Sequence, residues 1–317
     1  KKKKTILVIL GGHSKERDIS LKTGQSCINA LKKLNYKIIK FDPKFSSLTE
    51  LKKKGADVIF NALHGKGGED GVIQSFFEYI GLPYTHSGPL SSMLAMNKYF
   101  SKKLFVKNNI KTPRYFFLDK KDFSKEIIKK EIKKNKLKFP IVVKPNDEGS
   151  SIGVNICRDF NSLYVSFNKL RKKYENLIFE NYIPGKEIQV ANLGNRAIGA
   201  IELRPKRKFY DYKAKYKKSS KTEHIMPAEI SKLKYGEVLR ISQKAYKILK
   251  CRGIARCDFR FYKNKFFLLE VNTQPGMTSL SLVPEIAEYK NISFLQLVNW
   301  MVKDASLNRW KKNYFGG

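Results

Sequence analysis

The sequence predicts an α/β protein with an open parallel sheet at its N-terminus and α+β lobes beyond it, and three observations carry that expectation. Short apolar runs recur at residues 5–10, 36–41 and 58–63. Helical stretches at residues 19–34 and 72–80 alternate with them, and Gly11-Gly12 makes the turn into the first helix. Further strand-like runs return at residues 177–182, 187–192 and 197–203. Strands alternating with helices favour a parallel sheet with covering helices, and later clusters of strands favour separate lobes.

The elements follow in order. Lys1–Lys4 and the short apolar run after it superficially suggest a signal peptide. Gly11-Gly12-His13 and charges then stand where a small-residue cleavage site would be, so a first strand is expected instead. A second lobe is expected to begin at Asn97 and Lys98, with a lysine-rich helix at residues 124–136, a buried strand at 141–144 and a Gly/Ser-rich turn at 149–153. Residues 204–226 are polar and lysine-laden with little apolar periodicity, and read as a long surface loop. Loops of that length inside compact domains are often functional lids. A helix at residues 234–249 precedes two strands that carry Asp258 and Glu270.

At 317 residues and 42% hydrophobic content, the chain can bury a large core divided among two or three lobes. No apolar run approaches the length of a membrane span, so no membrane insertion is expected. The formal net charge of +36 invites a nucleic-acid reading, because clustered lysines neutralise phosphates. Lysine is instead spread along the whole chain, and no zinc-finger spacing, aromatic RNA-binding signature or basic zipper appears. No specific nucleic-acid partner is expected; long-range attraction of anionic ligands is. The cysteines, Cys27, Cys157, Cys251 and Cys257, form no C-x-x-C and read as reduced thiols.

Residues 270–284 are the most informative segment. An apolar run ends in Glu270, followed by Val271 and Asn272, and on a strand residues i and i+2 share a face. A neighbouring strand could deliver Asp258 to the same spot, giving two carboxylates and an amide oxygen, a hard oxygen set suited to Mg²⁺. Lys144 closes a strand before the turn containing Ser150 and Ser151, where small residues let backbone N–H groups approach phosphates. It is not a Walker loop, and an ordinary hairpin would look the same. Glu180, Tyr182, Ile183 and Glu187 combine acceptors with an apolar pair, as a base and ribose would need, although incidental acids on a strand–turn–strand remain open. Glu16 sits where a helix begins, so helix capping competes with a binding role. His64 follows an apolar strand, at the end of a parallel sheet where ligands tend to bind.

In their order these segments resemble the ATP-grasp superfamily and, within it, the D-alanine–D-alanine ligases. The matching stretches are G-G-H-S-K-E-R-D-I-S, N-A-L-H-G-K-G-G-E-D-G-V-I-Q, P-Y-T-H-S-G, M-N-K, V-V-K-P-N-D-E-G-S-S-I-G-V, E-N-Y-I-P-G-K-E, F-Y-D-Y-K-A-K-Y, A-R-C-D-F and L-L-E-V-N-T-Q-P-G-M-T-S-L-S-L-V-P. They run from residue 11 to residue 284.

The resemblance implies an ATP-grasp fold: an N-terminal substrate-binding lobe at residues 1–97, a central lobe at 98–184 and a C-terminal lobe at 185–317, with a lid near 204–226. It implies that ATP phosphorylates one D-alanine and that the second attacks the acyl phosphate. Lys98, Lys144, Ser150 and Ser151 match phosphate contacts. Glu180, Tyr182, Ile183, Glu187 and Phe209 match the base and ribose site, and Lys215 and Tyr216 come from the lid. Asp258, Glu270 and Asn272 match ligands for Mg²⁺ or Mn²⁺, two ions being expected. Arg256 and the Gly276 N–H match oxyanion donors. Glu16 matches the holder of the first D-alanine ammonium and His64 a substrate-pocket residue. Ser281 and Leu282 match the holders of the second carboxylate, and Tyr216 a link between Ser150 and Glu16. A homodimer in a bacterial cytoplasm, serving peptidoglycan synthesis, is implied as well.

The same fold with D-lactate or D-serine as second substrate is one alternative, and a non-catalytic basic binding protein is another. Tyr216 argues against the first, since ester-forming relatives tend to carry Phe there; the intact set of Glu16, Lys144, Arg256, Asp258, Glu270 and Asn272 argues against the second. The chain departs from the family pattern at His86, Asn97, Arg260 and Leu280.

Overall fold

The computed structural model describes residues 3–205, 222–278 and 281–307. Phe209, Lys215, Tyr216 and Leu280 lie outside them. Strands β1 (Thr5–Ile9), β2 (Lys37–Phe41) and β3 (Val58–Asn61) form the expected parallel sheet in the order β2-β1-β3. The central strand is buried on both faces, with Ile6 and Val8 in one core and Leu7 and Ile9 in another. That double burial is why it reads as an unbroken apolar run rather than an alternating one. Helix α1 (Arg17–Lys33) contributes Cys27, Ile28 and Leu31 to the first core, and α2 (Val72–Ile80) contributes Ile73 and Phe77 to the second.

Helices α3 (Pro89–Met96) and α4 (Lys98–Lys107) lead into a second sheet. It contains β4 (Tyr115–Asp119), β5 (Ile141–Pro145), β6 (Asn155–Cys157) and β7 (Asn176–Asn181) in the order β4-β7-β5-β6, every pair antiparallel. Helices α5 (Lys125–Lys134) and α6 (Phe160–Leu170) share its core through Ile128, Leu163 and Phe167.

The third sheet is antiparallel, with β8 (Lys186–Leu193), β9 (Arg196–Pro205), β10 (Thr222–Ile225), β11 (Ile254–Tyr262) and β12 (Lys265–Asn272) in the order β10-β9-β8-β11-β12. Helix α7 (Lys232–Ile248) packs Val238, Ala245 and Tyr246 with Val190 and Phe259. Helices α8 (Leu282–Tyr289) and α9 (Phe294–Asp304) place Ile286, Leu297 and Met301 in one core with Ile6 and Val8 of the first sheet and Leu31 of α1. Leu297 is fully buried there, and withdrawing such a side chain from water contributes on the order of 2 kcal/mol. The C-terminal helices thereby fix the first and third sheets together.

The stretch at 204–226 differs from the expected loop at both ends. β9 continues to Pro205, and β10 pairs with it, His224 opposite Leu203. β10 is an edge strand reading Thr-Glu-His-Ile, and polar residues are normal on edges, so its composition hides it from a periodicity reading.

Candidate active site

Strand alternation builds the centre of the site. On β11, Arg256, Asp258 and Arg260 occupy every second position and therefore one face. Across the ladder Asp258 stands opposite Glu270 and Arg256 opposite Asn272, with a bulge just after the Asp258–Glu270 pair. Arg256 grips Asp258 with both ends of its fork, Nε to Oδ1 at 2.7 Å and Nη2 to Oδ2 at 2.8 Å. Lys98 Nζ lies 3.5 Å from Glu270 Oε2 and donates to the Glu148 carbonyl at 2.6 Å. Asn272 Oδ1 accepts the Gln274 N–H at 2.8 Å. Among the described residues no group of three or more His, Cys, Asp or Glu side chains is placed to hold a metal ion by itself. A divalent cation here would rest on two facing carboxylates and one amide oxygen, which is the hard-oxygen chemistry Mg²⁺ or Mn²⁺ takes.

One end of the cavity is rich in cations. Glu180 on β7 is buried and paired to Lys144 of β5 and, at 2.9 Å, to Lys102 of α4. Burial alone would raise the Glu180 pKa, but the two lysines outweigh it and hold the carboxyl below its ordinary value. Lys102 is fully buried and donates to Thr112 Oγ1 at 2.6 Å; burial pushes its pKa down to about 8. Lys98, Lys144, Ser151, Tyr182, Ile183 and Glu187 line this same cavity, with Asp258, Arg260 and Glu270 at its inner side.

The other end is acidic. Glu16 immediately precedes α1 yet makes no side-chain capping bond; it is buried and does not itself line the cavity, and its Oε1 accepts from Ser150 Oγ, which does. Its Oε2 is buried and accepts no hydrogen bond among the described residues. Burial, then the neighbouring Glu69 carboxylate, push the Glu16 pKa up to about 7. His64 does not line the cavity; Nε2 lies 3.1 Å from Thr23 Oγ1 and Nδ1 lies 3.9 Å from Glu69 Oε2. Ser150 and Ser151 adopt φ of 51° and 61°, the left-handed region, within the connection that joins the antiparallel neighbours β5 and β6. A Cβ on Gly149 would stand 3.1 Å from Glu69 Oε1, which is why glycine fits there.

Gly276, Ser281 and Leu282 line the wall near Arg256. Ser281 precedes α8 and accepts the Thr278 N–H at 2.9 Å. Among the departures, Asn97 caps α4 by accepting the Phe100 N–H at 3.0 Å, a job Asp does equally well. His86 holds φ 71°, a left-handed position that glycine adopts more readily than histidine. Arg260 turns inward to Glu187 at 3.3 Å.

Sequence reasoning missed Lys102, Glu69 and Gln189. Lys98 and Lys102 belong to the buried face of α4 together with Ser101 and Phe105, an i, i+3, i+4, i+7 set. Lysines at the inward positions of a helix were the available signal for Lys102. Gln189 stands opposite Asp258 on β8, a relation that only the register reveals.

Two antiparallel sheets that share the lining of this cavity, beside a parallel N-terminal sheet, form an ATP-grasp fold. The D-alanine–D-alanine ligase of Bacillus anthracis complexed with ATP matches it with a TM-score of 0.83 and 34% identity, covering 96% of this chain and 97% of that one. Family models for the D-ala D-ala ligase N-terminus and C-terminus match residues 40–87 and 104–303. The D-alanine–D-alanine ligase of Pelagibacter ubique (strain HTCC1062) is 51% identical over 306 residues, 96% of this chain and 99% of that protein. That of Xanthobacter autotrophicus (strain ATCC BAA-1158 / Py2) is 39% identical over 96% of this chain and 99% of its own length. The chain belongs to the D-alanine–D-alanine ligase family.

Proposed function

We infer that this protein joins two D-alanines at the expense of ATP, through a D-alanyl phosphate, to make D-alanyl-D-alanine for peptidoglycan synthesis. The observation that carries the reading is the Ser150–Glu16 bond, which ties the acidic pocket to the turn that borders the nucleotide cavity. An ammonium at Glu16 and a phosphate over Ser150–Ser151 would thus be neighbours. The lobes at residues 1–97, 98–184 and 185–317 then divide the work into substrate binding, nucleotide cover, and metal and substrate chemistry.

Glu180 and the Tyr182–Ile183 backbone take the base, Glu187 the ribose, and Lys98 and Lys144 the phosphates. Phe209, matched to the base site, and Lys215 and Tyr216, matched to lid positions, belong to the proposed set and lie outside the described residues. One or two Mg²⁺ or Mn²⁺ ions, held by Asp258, Glu270 and Asn272, would offset phosphate charge during transfer. Glu16 orients the first D-alanine, with His64 supporting the acidic pocket through Glu69. The carboxylate oxygen of that first D-alanine attacks the γ-phosphorus of ATP and ADP leaves. The second D-alanine, held at its carboxylate by Ser281 and the Leu282 N–H, attacks the acyl carbon with its amine. Arg256 and the Gly276 N–H stabilise the resulting oxyanion, phosphate departs, and the amide forms. No helix among the described residues is long and apolar enough to cross a membrane. A homodimer in the bacterial cytoplasm is the setting we propose.

Phosphate release from ATP and Mg²⁺ tests this, with D-alanine, L-alanine, D-alanine plus D-serine and D-alanine plus D-lactate, and products identified by mass. Release dependent on D-alanine, with the dipeptide as product, is expected. Turnover only with another acceptor would overturn the second substrate while leaving the fold.

A further inference from the structure

The nucleotide end of the cavity contains a cation that the proposed reaction has not yet used. Arg260 lies two residues beyond Asp258 on the same face of β11, so strand geometry carries it about 7 Å toward the base slot. It stands in register opposite Glu187 on β8. Its side chain is only 14% exposed and Glu187 only 13%, so their contact is sheltered from water.

Arg260 spends its fork on three partners around the proposed base and ribose site. Nη1 reaches Glu187 Oε2 at 3.3 Å, Nε donates to the Ile183 carbonyl at 2.9 Å, and Nη2 reaches the Tyr182 hydroxyl at 3.4 Å. The guanidinium also lies over the Tyr182 ring, 5.7 Å from its centroid. Gln189 Nε2 donates to the other Glu187 oxygen at 3.3 Å. Glu187 is therefore held at both oxygens, and the Tyr182–Ile183 segment is fastened to β11 by the same guanidinium. A lysine would keep the charge but gather its donors on one atom, without the planar fork that spreads these contacts over Nε, Nη1 and Nη2.

We propose that Arg260 is a positioning residue for the nucleotide, holding Glu187 where it meets the ribose hydroxyls and fixing the Tyr182–Ile183 wall of the base slot. The proposal rests on the nucleotide reading of this cavity. It assigns preference for a ribonucleotide over its deoxy counterpart to the Arg260–Glu187 pair: a carboxylate held in place accepts from the 2′-hydroxyl, and a carboxylate that has lost its cation can turn away.

The experiment measures KM for ATP and for 2′-deoxyATP, KM for D-alanine, kcat and the melting temperature in wild type, Arg260→Met and Arg260→Lys. Losing a charge-assisted contact is expected to raise KM for ATP about tenfold in Arg260→Met. KM for 2′-deoxyATP should rise much less, so the preference for ATP shrinks, while kcat at saturating ATP and KM for D-alanine stay within about twofold. Arg260→Lys keeps the charge and should fall between the two proteins. An unchanged ATP preference in both variants, or equal losses for both nucleotides accompanied by a fall in kcat, would overturn the proposal. Wild-type protein that binds neither nucleotide would overturn the nucleotide reading itself, whereas wild type that discriminates and a variant that matches it would overturn only the role of Arg260.

Discussion

The two ends of the cavity balance their charges in opposite ways. At the nucleotide end every named carboxylate has a cation against it: Glu180 lies between Lys144 and Lys102, and Glu187 meets Arg260. At the amino-acid end Glu16 and Glu69 crowd together, and the side chain facing them as a potential cation is His64. Both Glu16 and Glu180 are buried, yet Glu180 is held below its ordinary pKa and Glu16 is pushed up to about 7. Burial is common to the two, so the difference comes from the neighbours. An end that has already neutralised its carboxylates and still holds lysines is prepared for an anion. An end with surplus carboxylate is prepared for an ammonium.

The strongest way to break this contrast is Glu16→Gln. Replacing a charged acceptor with a neutral one should lower kcat/KM for D-alanine about 100-fold and leave KM for ATP nearly unchanged. In wild type, KM for D-alanine should fall as pH rises from 6 to 8, because more Glu16 is ionised above about 7. That pH dependence should flatten in the variant. Equal damage to ATP and D-alanine kinetics would mean that the two ends are not separate charge environments.

Lys102→Met probes the other end with a smaller effect. Methionine keeps the length of the buried stem and leaves Glu180 with Lys144 alone. A loosened Glu180 should raise KM for ATP about tenfold, with KM for D-alanine within about twofold. A steady-state titration of each substrate separates the two constants, and a variant that folds with wild-type ATP affinity would remove Lys102 from the nucleotide end.

These two residues also mark how far the sequence could be read. Asp258, Glu270 and Asn272 were legible because strand periodicity is local: an i, i+2 pair on one strand and an acid on its neighbour suffice. The parallel order of the first sheet followed from alternating elements for the same reason. Lys102 was hidden by composition, since 64 basic residues make one more lysine in a lysine-rich helix look like surface. Only its place on the buried face of α4 sets it apart. The Arg260–Glu187 and Gln189–Asp258 relations depend on the β8–β11 register, which pairs residues more than sixty positions apart and has no local signature. The C-terminal end of the 204–226 stretch escapes a periodicity reading because β10, an edge strand, carries no apolar alternation to detect.

The smallest expected effect is on stability, and its sign differs between the two ends. Glu16 is raised from an ordinary value of about 4.5 to about 7, so between those pH values the folded protein binds more protons there than the unfolded chain. Wild-type stability therefore falls as pH rises through that window, and the cost of a buried charge is fully present above it. Glu16→Gln carries no such charge and should match wild type near pH 4.5 and exceed it by on the order of 3 kcal/mol at pH 8. Glu180 is lowered instead, so its contribution is present above the ordinary carboxyl range and is lost as pH falls through its folded value. Glu180→Gln should accordingly be less stable than wild type at pH 7, with the deficit shrinking in acid. Melting temperatures of the three proteins across pH 4.5 to 8 provide the test. If Glu16→Gln tracks wild type at every pH, the Glu16 carboxylate is not held as a surplus buried charge, and the acidic end loses the feature that distinguishes it from the nucleotide end.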